Sequence, residues 1–398
     1  MSDRGGPFGR FPKEIRVMME SFEGLEDPRQ ARGRRHRLID VVMIVLFAMM
    51  SGEDDAQGIE DWGIFHEDWL RKFLALDGGI PSQDTFLRVF SMMNPEAFRT
   101  CFMQWVSQLK ASAKALQKGH VAIDGKTLRG SRNAGSGDRA LHMVSAWMNE
   151  ASMVLGQVAT DKKSNEIEAI PRLLDLIDIR DCVVTIDAMG CQREIAQKIT
   201  DKGGHYLLTV KDNQRTLKEE IARSFKASLT TGALAADMVQ PPVVTTFSET
   251  DADHGRIEKR TASHCADLSW LDAGQQWPAI AGIGMIERER TNKATGETST
   301  QIAYYVTSDR TMTAERLGAT ARAHWSIENN LHWVLDVTFK EDHCRARKLN
   351  AAHNFALVRQ VLLGLLKAET SVKRSIAKKR SRCSWGPEYM LTVLAAGD

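Results

Sequence analysis

Three stretches of this chain carry side chains whose type and spacing could do chemistry. HWSIENNLHW at 324–333 sets His324, Glu328 and His332 at i, i+4 and i+8, so a helix would present all three on one face. Along such a helix His324 and His332 stand roughly 12 Å apart, too far to bind one ion together. A zincin-type His-Glu-x-x-His pattern is absent. The carboxylate of Glu328 is therefore expected at the centre, with imidazoles above and below it that could touch a phosphate or orient water. The other two stretches are apolar, strand-like runs that end in an acid: HVAID in Asp124 and VVTID in Asp187. In open α/β sheets, ligands and catalytic groups gather at the carboxyl ends of strands. Close carboxylates repel each other and raise one pKa unless a cation neutralises them. Hard divalent cations do so through oxygen ligands, and Mg²⁺ keeps positions for water and phosphate. Asp124, Asp187 and Glu328 would then form a two-ion clamp suited to phosphoryl transfer, with Mn²⁺ able to substitute for Mg²⁺.

The elements that must position these acids can be read from periodicity. Residues 11–117 have helical texture, and Asn94, Pro95 and Glu96 open a helix with an N-cap, a first-turn proline and an acid. DGGIPSQDTFLRVFSMM, just before it, has the form of the second half of a helix-turn-helix with Arg88 projecting, although such patterns are common by chance and a plain helical bundle is favoured over it. After Gly119 come three short β-rich runs: HVAIDGK (120–126), ALHMVSAWMN (140–149) and MVLGQVAT (153–160). NEIEAIPRLLDLID (165–178) has a helical stripe whose regular part is expected to begin near Pro171. A buried strand (181–190), a helix (192–203) and a strand (205–211) follow. Three strands, then strand–helix alternation, is the order of an α/β, RNase H-like mixed sheet. The expected organisation is an all-α N-terminal domain at 1–117 and a catalytic domain at 118–398. The latter is interrupted by a polar, loop-rich, β-containing insertion at about 212–312.

Composition narrows the class. The 398 residues are 43% hydrophobic and 26% charged, which suits a globular chain of two or three domains. Six scattered cysteines without Cys-x-x-Cys spacing suggest neither a zinc ribbon nor a disulfide framework. VVMIVLFAMM (41–50) is about half a bilayer span, and the first residues lack a signal-peptide apolar region, so a cytoplasmic location without membrane association is expected. The net charge is only +2, but RQARGRRHR (29–37) and VKRSIAKKRSR (372–382) are basic clusters. Each alone reads as a solvated surface; two in one chain favour a phosphate-binding surface.

VAIDGKTLRGS (121–131), TIDAMGCQREIA (185–196) and HWSIENNLHWVLDVTFKED (324–342), in that order, resemble blocks of DDE transposases of the ISAs insertion-sequence type, whose relatives include H-repeat-associated proteins. The stretch from Phe22 to Gly63, with GIPSQDTFLRVF after it, is similar to the associated domain that precedes the catalytic domain in that family. The resemblance implies an RNase H-like fold and a Mg²⁺-dependent triad falling on Asp124, Asp187 and Glu328. It also implies double-stranded DNA partners, namely terminal inverted repeats and a target, a dimer or larger assembly on DNA, and a place in the bacterial cytoplasm at the nucleoid. The activity implied is cleavage of insertion-sequence ends and their joining to target DNA. A DNA-binding relic that no longer cuts, or a nuclease without strand transfer, are the alternatives.

One departure stands out. Many related enzymes carry Tyr-x₂-Arg-x₃-Glu-x₆-Lys around the last acid, whereas counting from Glu328 these positions hold Ala321, His324 and Leu335. His324, His332, Lys340, Arg345 or Arg347 are candidates to take over phosphate binding. Asp336 is a rival third carboxylate. Lys126 and Arg129 could bind DNA phosphates as point charge and fork, and Lys211, Asn213 and Gln214 could contact backbone or bases. Trp325 and Trp333 suit a core or a DNA-facing wall. Trp270, Trp277, Tyr304 and Tyr305 could stack on an extruded base, core packing being the alternative.

Overall fold

The structure, a computed structural model, describes residues 12–108, 119–132, 140–160, 166–229, 243–253, 255–269, 271–272 and 276–395. The expected helical residues 109–117 and Trp270 lie outside them. Among the described residues six helices come first: α1 (Lys13–Ser21), α2 (Leu38–Met50), α3 (Ala56–Phe65), α4 (Glu67–Leu70), α5 (Gln83–Met92) and α6 (Pro95–Gln108). Asn94 does cap α6, its Oδ1 accepting from the N–H groups of Glu96 and Ala97 at 2.9 and 3.2 Å. α2 is apolar all round because it is buried all round, with every residue from Val41 to Met50 at most 1% exposed. Among the described residues no helix is long and apolar enough to cross a membrane.

The sheet opens with β1 (His120–Leu128), β2 (Leu141–Met148) and β3 (Met153–Thr160), an antiparallel meander. α7 (Glu166–Asp175) leads to β4 (Val183–Ile186), and α8 (Arg193–Asp201) to β5 (His205–Val210). α7 runs straight through Pro171 rather than starting near it. β4 lies parallel to β1, and β5 parallel to β4. The four residues of β4 are all buried, which is why it reads as an unbroken apolar run.

The segment expected to be a β-rich insertion at about 212–312 does carry strands, and they extend the same sheet. It begins with a 15-residue helix, α9 (Arg215–Leu229). It continues as β6 (Val244–Asp251), β7 (Arg256–Cys265), β8 (Gly282–Asn292) and β9 (Thr298–Thr307). β9 pairs antiparallel with β5, giving one nine-stranded mixed sheet in the order β3-β2-β1-β4-β5-β9-β8-β7-β6. The sequence reads as polar because β6, which has no buried residue, and the far ends of β7 to β9 are largely exposed. The architecture is mixed α/β and RNase H-like.

The chain returns through α10 (Ala314–His324), a π turn (Glu328–His332), α11 (Trp333–Val337), α12 (Ala351–Ala368), α13 (Ile376–Trp385) and α14 (Pro387–Leu394). α10 packs on β7 and β8, and its Leu317 Cδ1 occupies the place a Cβ on Gly284 of β8 would need. The main apolar core is shared between the first six helices and the last four: Phe90 stacks on Phe355 with ring centroids 4.6 Å apart. Glu328 therefore enters the sheet region from a helical layer that both ends of the chain build.

Candidate active site

Asp124 sits within β1 opposite Ser145 of β2. Burial pushes its carboxyl above the ordinary range, the charges of Asp187 and Glu166 push the same way, and His332 and the Gly125 N–H pull back. Asp187 follows the last residue of β4; Asp124 does not end its strand as expected, because β1 runs on to Leu128, but the parallel register pairing Ile123 with Ile186 sets Asp124 in mid-strand beside Asp187. Its Oδ1 accepts from the N–H groups of Met189 (3.0 Å) and Gly190 (3.4 Å), capping a single 3₁₀ turn. Glu328 opens the π turn with its side chain 59% exposed. The hydrogen bond from His332 holds its carboxyl below the ordinary range, against a smaller effect of burial. A π turn places one extra residue in a helix and is common where a functional side chain must be turned.

The structure gathers Asp124, Glu328 and His332: one ligand atom from each lies within 4.8 Å of the others. His332 Nδ1 stands 3.1 Å from Glu328 Oε2 and 3.4 Å from Asp124 Oδ2. Asp187 is outside that group but lines the same cleft of about 1000 Å³, along with Lys211, Arg260, Arg288, Arg322, Tyr305 and Trp325. Arg322 is held by Glu249 (3.0 Å) and Asp251 (3.5 Å) of β6, all about half exposed. Such surface pairs are weak and exchange readily for a phosphate.

The two histidines of the opening motif part company. His332 faces the carboxylates, whereas His324 Nδ1 meets the Thr185 hydroxyl at 2.9 Å. The same hydroxyl meets His120 Nε2 at 2.7 Å. Asn149 continues the chain, bonding His120, Ser326 and the Ala323 carbonyl. Burial drives His120 down to about 3 and His324 down to about 4, so both rings are neutral. These side chains tie the start of the Glu328 helix to β1, β4 and the β2–β3 turn, and sequence reasoning missed all but His324. Strand parity could have found two of them. His120 shares a strand face with Asp124, as Thr185 does with Asp187.

Several expected phosphate contacts are engaged within the chain. Lys126 Nζ lies 2.6 Å from Asp336 Oδ1 and 2.6 Å from Glu341 Oε2. Burial lowers Lys126, but Glu341 and Asp336 outweigh it, so its ammonium is held charged. Asp336 is thereby occupied by a cation rather than aimed at Asp124. Asn213 donates to the Ala188 carbonyl (2.7 Å) and Gln214 to the Cys191 carbonyl (3.0 Å), bracing the turn after Asp187. Arg347 donates to the Gly130 carbonyl at 2.9 Å while remaining exposed. Arg129, Lys211, Lys340 and Arg345 are exposed. Trp325 and Trp333 are 59% and 56% exposed, not core, whereas Trp277 is buried. In the basic clusters Arg29, Lys379 and Arg380 are buried.

Residues 115–365 match the family described as "Transposase DDE domain", and residues 19–106 match one described as "DDE_Tnp_1-associated". The chain belongs to the DDE transposase family. Among relatives in the family is the "H repeat-associated putative transposase YhhI" of Escherichia coli K12. It is 34% identical over 385 residues, spanning 96% of this chain and 98% of that protein. The "Putative transposase YncI" of Escherichia coli O157:H7 is 36% identical over 388 residues, covering 96% and 95% of the two chains. An "Inactive transposase YbfQ" of Escherichia coli K12 is 36% identical over 78 residues, only 20% of this chain. Members of the DDE transposase family act on DNA and use divalent metals, which suits a cluster of two carboxylates and an imidazole.

Proposed function

We propose that this cleft cuts DNA at the ends of an insertion sequence and joins those ends to target DNA. Asp124, Asp187 and Glu328 would hold two divalent cations, Mg²⁺ or, in its place, Mn²⁺. The observation that carries the reading is the approach of Asp124 and Glu328, far apart in the chain, to within 4.8 Å. Carboxylates this close favour a cation between them. The donor set fits: oxygens on one Mg²⁺ at about 2.0–2.1 Å lie up to about 4.2 Å apart, close to the spacing here. Bound cations would supply the charge that activates an attacking hydroxyl and stabilises the departing oxygen during in-line displacement at phosphorus.

The chain's own residues fix the geometry. Asp124 is held by its pairing with Ser145 of β2, one residue past the last β1 residue paired with β4, and Asp187 keeps Oδ1 on its backbone cap, which leaves Oδ2 for a ligand. Lys211, Arg129, Arg260, Arg288 and Arg322 would meet strand phosphates, with Lys340, Arg345 and Arg347 further along the same return segment. Residues 1–117 would grip the terminal repeats, helped by exposed Arg32, Arg35 and Arg37, and residues 118–398 would carry out the chemistry. Joining needs two ends at once, so a homodimer or larger assembly on DNA follows.

The test is incubation of the full chain with labelled duplex carrying the element's ends and Mg²⁺ or Mn²⁺. Wild type is expected to nick at the ends and join the freed 3′ end to a second duplex. Asp124→Asn, Asp187→Asn and Glu328→Gln should bind the DNA without nicking it. Binding without nicking by the wild type would overturn the proposal and leave a DNA-binding relic; nicking that survives Asp124→Asn would move the chemistry elsewhere.

A further inference from the structure

Resting on the site assignment above, we infer that His332 is itself a metal ligand through Nδ1, completing a two-carboxylate, one-imidazole set with Asp124 and Glu328. The nitrogen biases that position towards Mn²⁺ over Mg²⁺. The side chain is 6% exposed, and Nδ1 points at both carboxylates, 3.1 Å from Glu328 Oε2 and 3.4 Å from Asp124 Oδ2. Nε2 is buried without a hydrogen-bond partner among the described residues. In most histidines a partner on the second nitrogen fixes the tautomer. Without an ion Nδ1 carries the proton that bonds Glu328, but no partner holds Nε2 as an acceptor, so the ring can carry that proton on Nε2 instead and present the Nδ1 lone pair to a cation between the carboxylates. The π turn makes this possible by setting Glu328 and His332 at its two ends, with both side chains turned to β1.

A nitrogen in the set alters selectivity. Imidazole suits transition metals, whereas Mg²⁺ takes carboxylates, carbonyls and water, and affinity for an N/O site rises along the first-row series. His332 would thus discriminate between two ions that carboxylates alone treat alike.

The experiment is pulsed EPR of Mn²⁺ bound to the full chain without DNA, with Mn²⁺ and Mg²⁺ titrated calorimetrically. Wild type should show ¹⁴N coupling from an imidazole, and Asp124→Asn should lose that coupling together with the bound Mn²⁺. His332→Gln should lose the coupling and weaken Mn²⁺ more than Mg²⁺. Removing an outer-shell partner alone costs about 10- to 100-fold in metal affinity, so losing a direct ligand should narrow the Mn²⁺/Mg²⁺ preference by at least about tenfold. If His332→Gln does not fold, the wild-type and Asp124→Asn spectra still decide. Mn²⁺ bound in an Asp124- and Glu328-dependent way without ¹⁴N coupling overturns the ligand assignment and leaves the proposed function standing. Mn²⁺ binding indifferent to both Asp124→Asn and Glu328→Gln overturns the site itself.

Discussion

Replacing Lys126 by methionine separates two roles open to a lysine two residues past Asp124. Nζ bridges Asp336 and Glu341, and the Glu341 side chain is only 2% exposed. Methionine retains an apolar stem but strands that buried carboxylate. Removing one partner of a buried ion pair costs about 3–5 kcal/mol, because the remaining charge is uncompensated. Asp336 adds little, since its side chain is 36% exposed and water screens it. Arg359, buried with its charge near Glu341, recovers part of the loss, so the lower end of the range, about 3 kcal/mol, is expected. Urea unfolding followed by circular dichroism reads this as a lower midpoint. Adding Glu341→Gln to Lys126→Met should restore much of it by removing the stranded charge. A lysine that served as a solvated phosphate contact would behave otherwise: stability would stay within about 0.5 kcal/mol. In that case the slope of log affinity for DNA against log salt would fall by about one. An unchanged unfolding midpoint with a reduced salt slope would refute the structural role.

Other consequences can be measured directly. His120 and His324, held at about 3 and about 4 against an ordinary value of 6.5, accept protons in the unfolded chain before the folded one. Stability should therefore fall as pH drops below about 6.5, by up to about 1.4 kcal/mol per pH unit for each ring. His324→Gln should flatten the pH 7 to pH 5 slope of unfolding free energy, and an unaltered slope would contradict the assignment. Gly125→Ala would set a Cβ 2.5 Å from both Glu166 Oε1 and His142 Nε2. The His142–Glu166 pair must then shift, at about 1–3 kcal/mol, so thermal melting should show a loss of that size; an unchanged melting temperature would refute the close approach. Arg380 bonds Asp54 Oδ1 at 2.6 Å and the Met49 carbonyl at 2.7 Å, so Arg380→Met should cost several kcal/mol of stability. Exposed Lys378→Ala should instead change only DNA affinity and its salt dependence; equal effects of the two would refute this division of the basic cluster.

Much of the core sheet was legible because its elements follow local rules. VVTI is continuous and apolar because β4 is covered on both faces, and the three runs after Gly119 became β1 to β3 nearly as read. The outer strands were not legible as part of that sheet. β6 to β9 are polar, and only the pairing of β9 with β5, between segments distant in sequence, makes them continuous with it. The basic clusters were only partly legible for a related reason. Charge runs in sequence do not reveal that Arg380 turns inward to cap the end of α2 and rest 4.1 Å above the Phe339 ring.

By itself the sequence determined which residues could do chemistry: acids closing two apolar strand-like runs and one acid on a helix, fixed by residue type and by periods of two and 3.6. It also excluded one ion shared by His324 and His332. Only the tertiary structure decided how those residues are used. It brought His332 to Asp124 and Glu328, sent His324 to Thr185, spent Lys126 on Asp336 and Glu341, and turned Asp187 onto its own backbone. The reason is one of range. Backbone periodicity sets the face a side chain occupies, but its partner across space depends on strand order, a single π turn and the burial that makes an unpaired charge costly.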